Sequence, residues 1–531
     1  MTKTAGQSPK TTYFWIILFL LTIIVYFLGL NVPLLGPDEP RYSQVAREMF
    51  ERGDWITPTL GGFHWFEKPA LLYWLQIASY NLFGVSEFAA RFGSALFGIG
   101  TVLSLWVLGR VSEPPAVAGG LILVIENKAK RKAFANWLGL IAASSIGIIV
   151  FSHGASFDII LTFPMTATLV AFYVFDSRVQ PPATAGGSDR LRVYTSLFAF
   201  YFFIGIALLA KGLIGIVFPF AIVSFYYLLS WRLPSKTFIL SLFWGTLIAM
   251  AVAALWYVPM YERHGYAFID EFFIQHHFQR FTSNKYFHPQ PFYFFFWVLP
   301  LMTIPWLPFF FAAIWDFGRN LFHHRATENI ETKVEDSPRL PISPSPLLLF
   351  SLSWLLVPLV FFSFSGSKLP GYILPAVPAA IILTAEYIWR LVRKRQSRAA
   401  WIQIFVGTTL VIVIAALVSV FPSFAETDSV KSLIAAADAR GMTNEKVLTL
   451  HTISHNAEFY AAGRLLRSED GKQKKLLGTT EVLEEIRREN GKAVLVLVPL
   501  EYLKQLTDSN LIRTEVLKEN GELAIVYVSA R

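Results

Sequence analysis

The chain has 531 residues, 54% of them hydrophobic, and a mean hydropathy of +0.48. That balance excludes an ordinary soluble globular protein and points to an integral membrane protein. A net charge of +9 belongs, in such a chain, to cytoplasmic loops, so nucleic acid is not the expected partner. Cysteine is absent, which excludes disulfides, thiolate metal sites and cysteine nucleophiles.

A polar start with Lys3 and Lys10 precedes an apolar run from Tyr13 to Leu30. About 20 residues suffice to cross the hydrocarbon core, and no small-residue cleavage site follows, so the run reads as a retained helix. Residues 31–87 form a long first outer loop. Within it, Pro40 to Arg52 reads as a helix, with Pro in the first turn and Gly53 just past the end. Tyr42, Val45, Ala46, Met49 and Phe50 make one apolar stripe, the pattern of a helix lying in the membrane interface. Pro69 to Phe83 reads the same way. Ten more spans are expected near 88–109, 134–152, 159–176, 193–210, 213–230, 237–259, 292–316, 345–363, 370–388 and 401–421, giving about eleven.

Lys and Arg set the orientation. They cluster in alternate loops: Lys128 to Lys132, then Arg178, Arg190 and Arg192, then Arg232 and Lys236, then Arg319 and Arg325, then Arg390 to Arg395. These loops and the N-terminus are expected in the cytoplasm. The first loop, the 260–291 loop and the C-terminal region then face outward. Two similar segments, Pro114–Gly120 and Pro181–Gly187, fall in expected cytoplasmic loops and read as flexible insertions. From about 422 the composition changes. Helices are expected at Asp428–Arg440 and Thr479–Asn490, and strands at Lys446–Thr452, Ala493–Val498 and Glu522–Val528. The expected fold is therefore mainly α and polytopic: a membrane domain over 1–421 and a small exported α/β domain over 422–531.

The chemistry-bearing residues gather on the outer face. Asp38 and Glu39 sit just past the first span. They can cap the following helix, or act as a general base or metal ligand; a carboxylate at the membrane boundary beside Arg41 favours function for Asp38. Asp158 lies in a short break between two apolar runs, on the same expected face. It is either a polar turn residue or a second carboxylate of one site. Arg41, Lys68, Lys211 and Lys368 are lone cations on a face otherwise poor in Lys and Arg. Singly each can snorkel; together they suit a phosphate. His264, His276, His277, Arg280, Lys285 and His288 lie in the 260–291 loop. His276 with Glu67 could ligate a divalent metal ion, although the spacing fits no zinc signature.

Pro37-Asp38-Glu39-x-Arg41-Tyr42, Phe66-Glu67-Lys68-Pro69, Lys211-Gly212 and Lys368-Leu369-Pro-x-Tyr372-Ile-Leu-Pro375 resemble the bacterial aminoarabinose (lipid A) transferases. Those group with the protein O-mannosyltransferases in the GT-C superfamily of polyprenyl-phosphate-sugar glycosyltransferases. The resemblance spans roughly residues 10–390. It implies that Asp38 is the main catalytic residue, with Asp158 a second acidic position and Glu39 beside them. It implies that Arg41 and Lys68 hold the donor phosphate, with Lys211 and Tyr42 assisting, and that Lys368, Tyr372 and Arg280 meet substrate. The implied activity is inverting transfer from a polyprenyl-phosphate donor to lipid A, another glycolipid, a polymer or protein, on the outer face of the cytoplasmic membrane. No cofactor is required by this reading beyond the divalent ion left open above. Two other readings compete: a transporter or flippase of lipid-linked anions, and a membrane scaffold whose exported domain binds partners. The transporter reading does not explain the long amphipathic first loop, and no inverted repeat or broken-helix pair is evident in the sequence.

Overall fold

A backbone inside lipid must satisfy its own polar groups, which leaves helix as the default for apolar runs. A computed structural model of the protein describes residues 9–112, 121–179, 187–279, 289–328 and 345–531. Both Pro/Gly-rich insertions fall largely outside these residues. Helices occupy every expected span position, but not all are single long rods. Seven helices among the described residues are long and apolar enough to cross a membrane: Glu87–Val111, Phe157–Val179, Arg190–Lys211, Lys236–Gln275, Pro346–Ser363, Pro370–Lys394 and Ser397–Asp428. An eighth candidate is Lys130–Ala143 with Ile146–Ser152, bent by 57°. Trp15–Phe27 and Ile214–Leu229 are apolar but shorter. The 292–316 segment is split into Phe294–Leu301 and Leu307–Glu328. A count of eleven equivalent spans is thus too uniform.

The first loop folds against the helical body. Helix Asp38–Arg52 ends at Gly53, whose φ of 66° is left-handed. Tyr42, Val45, Ala46 and Met49 are buried in the protein's own core, so the stripe packs on the helical body instead of facing the membrane interface as expected. A hairpin of β1 (Thr59–Leu60) and β2 (Phe63–His64) follows. Glu48 pins it, accepting from Thr59 Oγ1 at 2.7 Å and Gly61 N at 2.7 Å. Helix Leu71–Phe83 then packs beside Asp38–Arg52.

One buried ion pair fixes where this loop starts. Arg91, from the helix Glu87–Val111, is 1% exposed. Its Nε and Nη2 donate to Glu39 at 3.0 and 2.7 Å. Its remaining donors reach the carbonyls of Leu30, Val32 and Pro33 at 3.0, 2.5 and 3.0 Å. Glu39 in turn accepts from Leu35 N at 2.8 Å and Ala155 N at 2.6 Å. The neighbouring backbone at Pro37 has no side-chain cap, so neither Asp38 nor Glu39 caps its own helix.

The C-terminal domain is a five-stranded sheet in the order β4-β3-β5-β7-β6. Its strands are β3 (Val447–Leu450), β4 (Lys475–Leu476), β5 (Val494–Pro499), β6 (Ile512–Glu519) and β7 (Leu523–Ala530). β3 pairs parallel with β4 and β5, while β7 runs antiparallel between β5 and β6. Alternation along the strands gives two apolar faces. Leu448, Val496 and Val526 pack with Val482 and Ile486 of helix Thr479–Arg488. Val447, Leu495 and Ile525 pack with Leu433 and Ile434 of helix Lys431–Asp438. The three expected strands are present. Short β4 and the largely polar edge strand β6 are additional.

Replacing Glu39 by Gln removes one partner of a pair that stays buried. Such a loss costs about 3–5 kcal/mol. The expected outcome is a clear fall in the thermal unfolding midpoint of the detergent-solubilised protein; an unchanged midpoint would contradict the structural role of the pair.

Candidate active site

Four chain breaks converge on one cavity of about 340 Å³. The first loop contributes Asp38, Tyr42, Glu67, Lys68 and Pro69. The turn entering helix Phe157–Val179 contributes Ser156, Phe157 and Asp158. The end of helix Gly187–Lys211 contributes Lys211, and the turn after Ser363 contributes Ser365, Ser367, Leu369 and Tyr372. Opposite this polar end stands an apolar wall of Leu213, Ile214, Val217, Phe218, Phe361 and Phe362. The cavity is thus polar at one end and oily at the other.

Local chain logic places the charges. Asp158 is the second residue of its helix and Lys211 the last of its own. The helix dipole favours an anion at the first terminus and a cation at the second. The two termini meet, and Lys211 Nζ donates to Asp158 Oδ1. Lys211 also lies over the ring of Tyr372, 5.0 Å from its centroid. Gly371 makes this approach possible, because a Cβ there would stand 1.9 Å from Asp158 Oδ2.

On the opposite side, Arg41 Nη2 binds Asp38 Oδ1 at 2.5 Å, and Arg41 Nε binds Pro37 O at 2.8 Å. The guanidinium lies 5.8 Å from the centroid of Trp65. Burial works against its charge, but Asp38 and the nearby Tyr42 and Glu67 outweigh burial and hold its pKa above the ordinary value. Lys68 Nζ is 3.9 Å from Glu67 Oε1. Tyr42 stands edge-on to Phe157 with ring centroids 4.9 Å apart. Burial, and then Asp38 and Glu67, push its phenol well above the usual range. It is a neutral hydroxyl at any physiological pH.

Of the residues singled out in the sequence, Asp38, Asp158, Lys68, Lys211, Tyr42, Glu67 and Tyr372 line this cavity. Arg41 stands beside it, tied to Asp38. Glu39 points away into the Arg91 pair, so its expected place among the catalytic residues gives way to a structural one. Lys368 is turned aside as well. It is buried, and its Nζ donates to Ser365 O at 2.7 Å and Gln290 O at 3.0 Å. It braces the turn that lines the cavity instead of facing substrate. Arg280 and the side chain of His276 lie outside the described residues. Among the described residues, no group of three or more His, Asp or Glu side chains is arranged to hold a metal ion.

Sequence reasoning passed over Arg91, Gly371 and the apolar wall. Arg91 did carry a signal, being a lone arginine at the start of an apolar run. Gly371 and the wall carried none, since they matter only through what packs against them.

Comparisons with known proteins bear on the fold and the family. A family model described as dolichyl-phosphate-mannose-protein mannosyltransferase matches residues 11–269. The undecaprenyl phosphate-alpha-4-amino-4-deoxy-L-arabinose arabinosyl transferase of Aeromonas salmonicida (strain A449) is 30% identical over 405 residues, covering 74% of this chain and 64% of the relative. Its counterpart in Serratia proteamaculans (strain 568) is 29% identical over 379 residues, covering 70% and 58%. The chain therefore spans less than two thirds of the length of these curated relatives. The crystal structure of ArnT from Cupriavidus metallidurans bound to undecaprenyl phosphate superposes with a TM-score of 0.75 at 20% identity, covering 97% of this chain and 98% of that one. The chain has the fold of that structure, and the resemblance to aminoarabinose transferases and O-mannosyltransferases holds.

Asp158→Asn and Lys211→Met, made singly and together, should couple by about 0.5–3 kcal/mol in unfolding free energy, as residues in direct contact do. Gly371→Ala should behave like the single variants because it displaces Asp158. Strict additivity of the two substitutions would mean that the pair does not hold the cavity together.

Proposed function

We propose that this relative of the aminoarabinose transferases and O-mannosyltransferases is an integral-membrane, inverting glycosyltransferase. It takes a sugar from a polyprenyl-phosphate donor of the undecaprenyl type. It delivers the sugar to lipid A, another envelope glycolipid, a polymer or a protein. One observation carries this reading: a single cavity joins a cluster of cations and carboxylates to an apolar wall. A lipid phosphate has that same division. Its head would lie between Lys68 and Lys211, and its first isoprene units along Ile214, Val217, Phe218, Phe361 and Phe362. The names of the relatives, and the undecaprenyl phosphate bound by the ArnT of similar fold, support the same donor class.

The residues suit the chemistry. An acceptor oxygen attacks the anomeric carbon as the bond to the phosphate oxygen breaks. The electron pair leaves with the phosphate, a stable anion, so no general acid is needed. Lys68, Lys211 and Arg41 stabilise the growing negative charge. Asp158 holds Lys211 in place. If the acceptor is a hydroxyl, its proton goes to Asp38, which lines the cavity. If the acceptor is itself a phosphate, Asp38 and Arg41 orient it. One displacement inverts the anomeric centre.

The Lys/Arg-rich loops support a cytoplasmic N-terminus, with the site and the C-terminal domain on the outer face of the bacterial inner membrane. Asp176 and Arg232, 3.6 Å apart, belong to the opposite end of the bundle from Asp158. Eighteen residues of helix separate Asp158 from Asp176, about 27 Å at the helical rise.

Asp38→Asn should slow sugar transfer to a hydroxyl acceptor by about 10²–10⁴-fold, with donor affinity and thermal stability unchanged. Unchanged transfer would remove Asp38 from the chemistry. Lys68→Met and Lys211→Met should each weaken binding of undecaprenyl phosphate, read by titration in detergent. Mass spectrometry of envelope glycolipids from a deletion strain separates the enzyme from a flippase. The enzyme reading requires a lost sugar; accumulation of unchanged lipid-linked donor on one leaflet, with no lost sugar, would favour transport.

A further inference from the structure

The first loop reaches the cavity twice. Asp38 and Tyr42 line it from one stretch, and Glu67, Lys68 and Pro69 from another. No described residue of the C-terminal domain lines the cavity. The domain instead holds the first loop just ahead of each of these two stretches.

The first hold is Tyr460. Its Oη accepts from Leu34 N at 2.8 Å and donates to Glu87 Oε1 at 3.1 Å. Leu34 is buried and stands four residues before Asp38. The next amide, Leu35 N, is taken by Glu39, and the preceding carbonyl, Pro33 O, by Arg91. Glu87 lies one turn before Arg91 on the same helix. Tyr460 thus completes the frame that sets the path of the chain into helix Asp38–Arg52. Burial and the Glu87 carboxylate push its phenol above the ordinary range, so it keeps the proton that it donates. Lys431 Nζ meets the same Glu87 oxygen at 2.6 Å. The short helix Ala457–Tyr460 packs on Asp38–Arg52, and Phe459 is buried in the core of the helical body.

The second hold is on the β1-β2 hairpin. Arg467 covers Gly61, where a Cβ would fall 1.9 Å from its Nε. Phe63 covers Gly471, where a Cβ would stand 2.7 Å from the Phe63 Cγ. Arg467 is fixed in turn by Glu458 and by Gly471 O, the latter at 2.8 Å. Phe63 stands four residues before Glu67.

We propose that the C-terminal domain is a two-point clamp on the first loop, in which Tyr460 is the positioning residue for Asp38 and the Phe63–Gly471 contact positions Lys68. This rests on the glycosyltransferase reading above. A proton acceptor and a phosphate-binding cation both work only when placed to within about 0.5 Å, and here one long loop carries both. The Arg91–Glu39 pair holds that loop from the helical body; the clamp holds it from the C-terminal domain. Because the two holds precede different residues, their losses separate. Tyr460 acts on the chemical step through Asp38, and the hairpin contact acts on donor binding through Lys68. A domain that only added stability would affect both alike.

The test uses the full-length protein in detergent micelles, with the donor named for the relatives, undecaprenyl phosphate-alpha-4-amino-4-deoxy-L-arabinose, and lipid A as acceptor. Tyr460→Phe should lower kcat by about 10- to 100-fold, the cost of a small misplacement of a reacting group, and leave the Kd for undecaprenyl phosphate unchanged. In an Asp38→Asn background the same substitution should cost nothing more, because the group through which it acts is gone. Phe63→Ala should do the reverse: it should weaken undecaprenyl phosphate several-fold and spare kcat at saturating donor. Hydrogen exchange reads the clamp without turnover. Peptides over residues 30–42 should lose protection in Tyr460→Phe, while helix Ile214–Leu229 keeps its own. Should Tyr460→Phe fold poorly, Glu87→Gln weakens the same hold and gives the same split of kcat against Kd. An unchanged kcat, an equal fall in the Asp38→Asn background, a parallel loss of undecaprenyl phosphate binding, or unchanged exchange over 30–42 would each overturn the proposal. If the wild-type protein bound undecaprenyl phosphate and showed the expected exchange pattern but moved no sugar, the transferase reading would fail and the clamp would stand.

Discussion

Arg91 sits among apolar helices and uses all five of its N–H donors: two on Glu39 and three on the carbonyls of residues 30–33. A cation buried this deeply is tolerated only when every donor is met. Satisfying it fixes the path of the chain as it leaves the first helix. Glu39 extends the constraint to Leu35 and to Ala155, in the turn before Asp158. The two carboxylates of the site, Asp38 and Asp158, are therefore held in register by an ion pair that faces away from substrate. Asp38 is adjacent to Glu39 in sequence, and the helix that begins there sends one side chain inward to the scaffold and the other to the cavity.

The charges inside the cavity are balanced in a similar way. Asp38 is paired with Arg41 and Asp158 with Lys211, so an empty site carries no uncompensated carboxylate facing the oily wall. In the proposed reaction, a phosphate entering between Lys68 and Lys211 would compete with Asp158 for the lysine, while the helix termini favour keeping both groups in place. The apolar wall excludes water from one side of that phosphate. Lower dielectric strengthens each interaction made there. In the proposed reaction, a single arrangement would serve both binding of the lipid and its departure as a leaving group.

The C-terminal sheet is organised by separate rules. Its two faces are each covered by a helix, so it has a core of its own. What joins it to the helical body is a small set of directional contacts through Tyr460, Lys431 and Arg467, together with the buried ring of Phe459. These all meet the first loop or the residue at its far end, Glu87. The domain therefore touches the helical body on the loop that carries Asp38.

Much of this was written in local sequence. Apolar runs fixed helix positions, and the stripe from Tyr42 to Phe50 gave the first-loop helix and its buried face, though not that this face packs on protein. Strand alternation exposed β3, β5 and β7. The family motifs pointed to Asp38, Lys68, Lys211 and Asp158, because charged residues at span ends are rare enough to be conspicuous. Tertiary structure alone decided the rest. Sequence adjacency could not separate Asp38 from Glu39, since one faces the cavity and the other Arg91, more than fifty positions away. Nor could it reveal that Lys368 binds backbone carbonyls or that Gly371 is there to admit Asp158. Span length misled where a helix bends by 57° at residues 143–146, because hydropathy records how much apolar chain there is and not where it turns. Local patterns determine which residues must be buried or charged; only packing determines which of them meet.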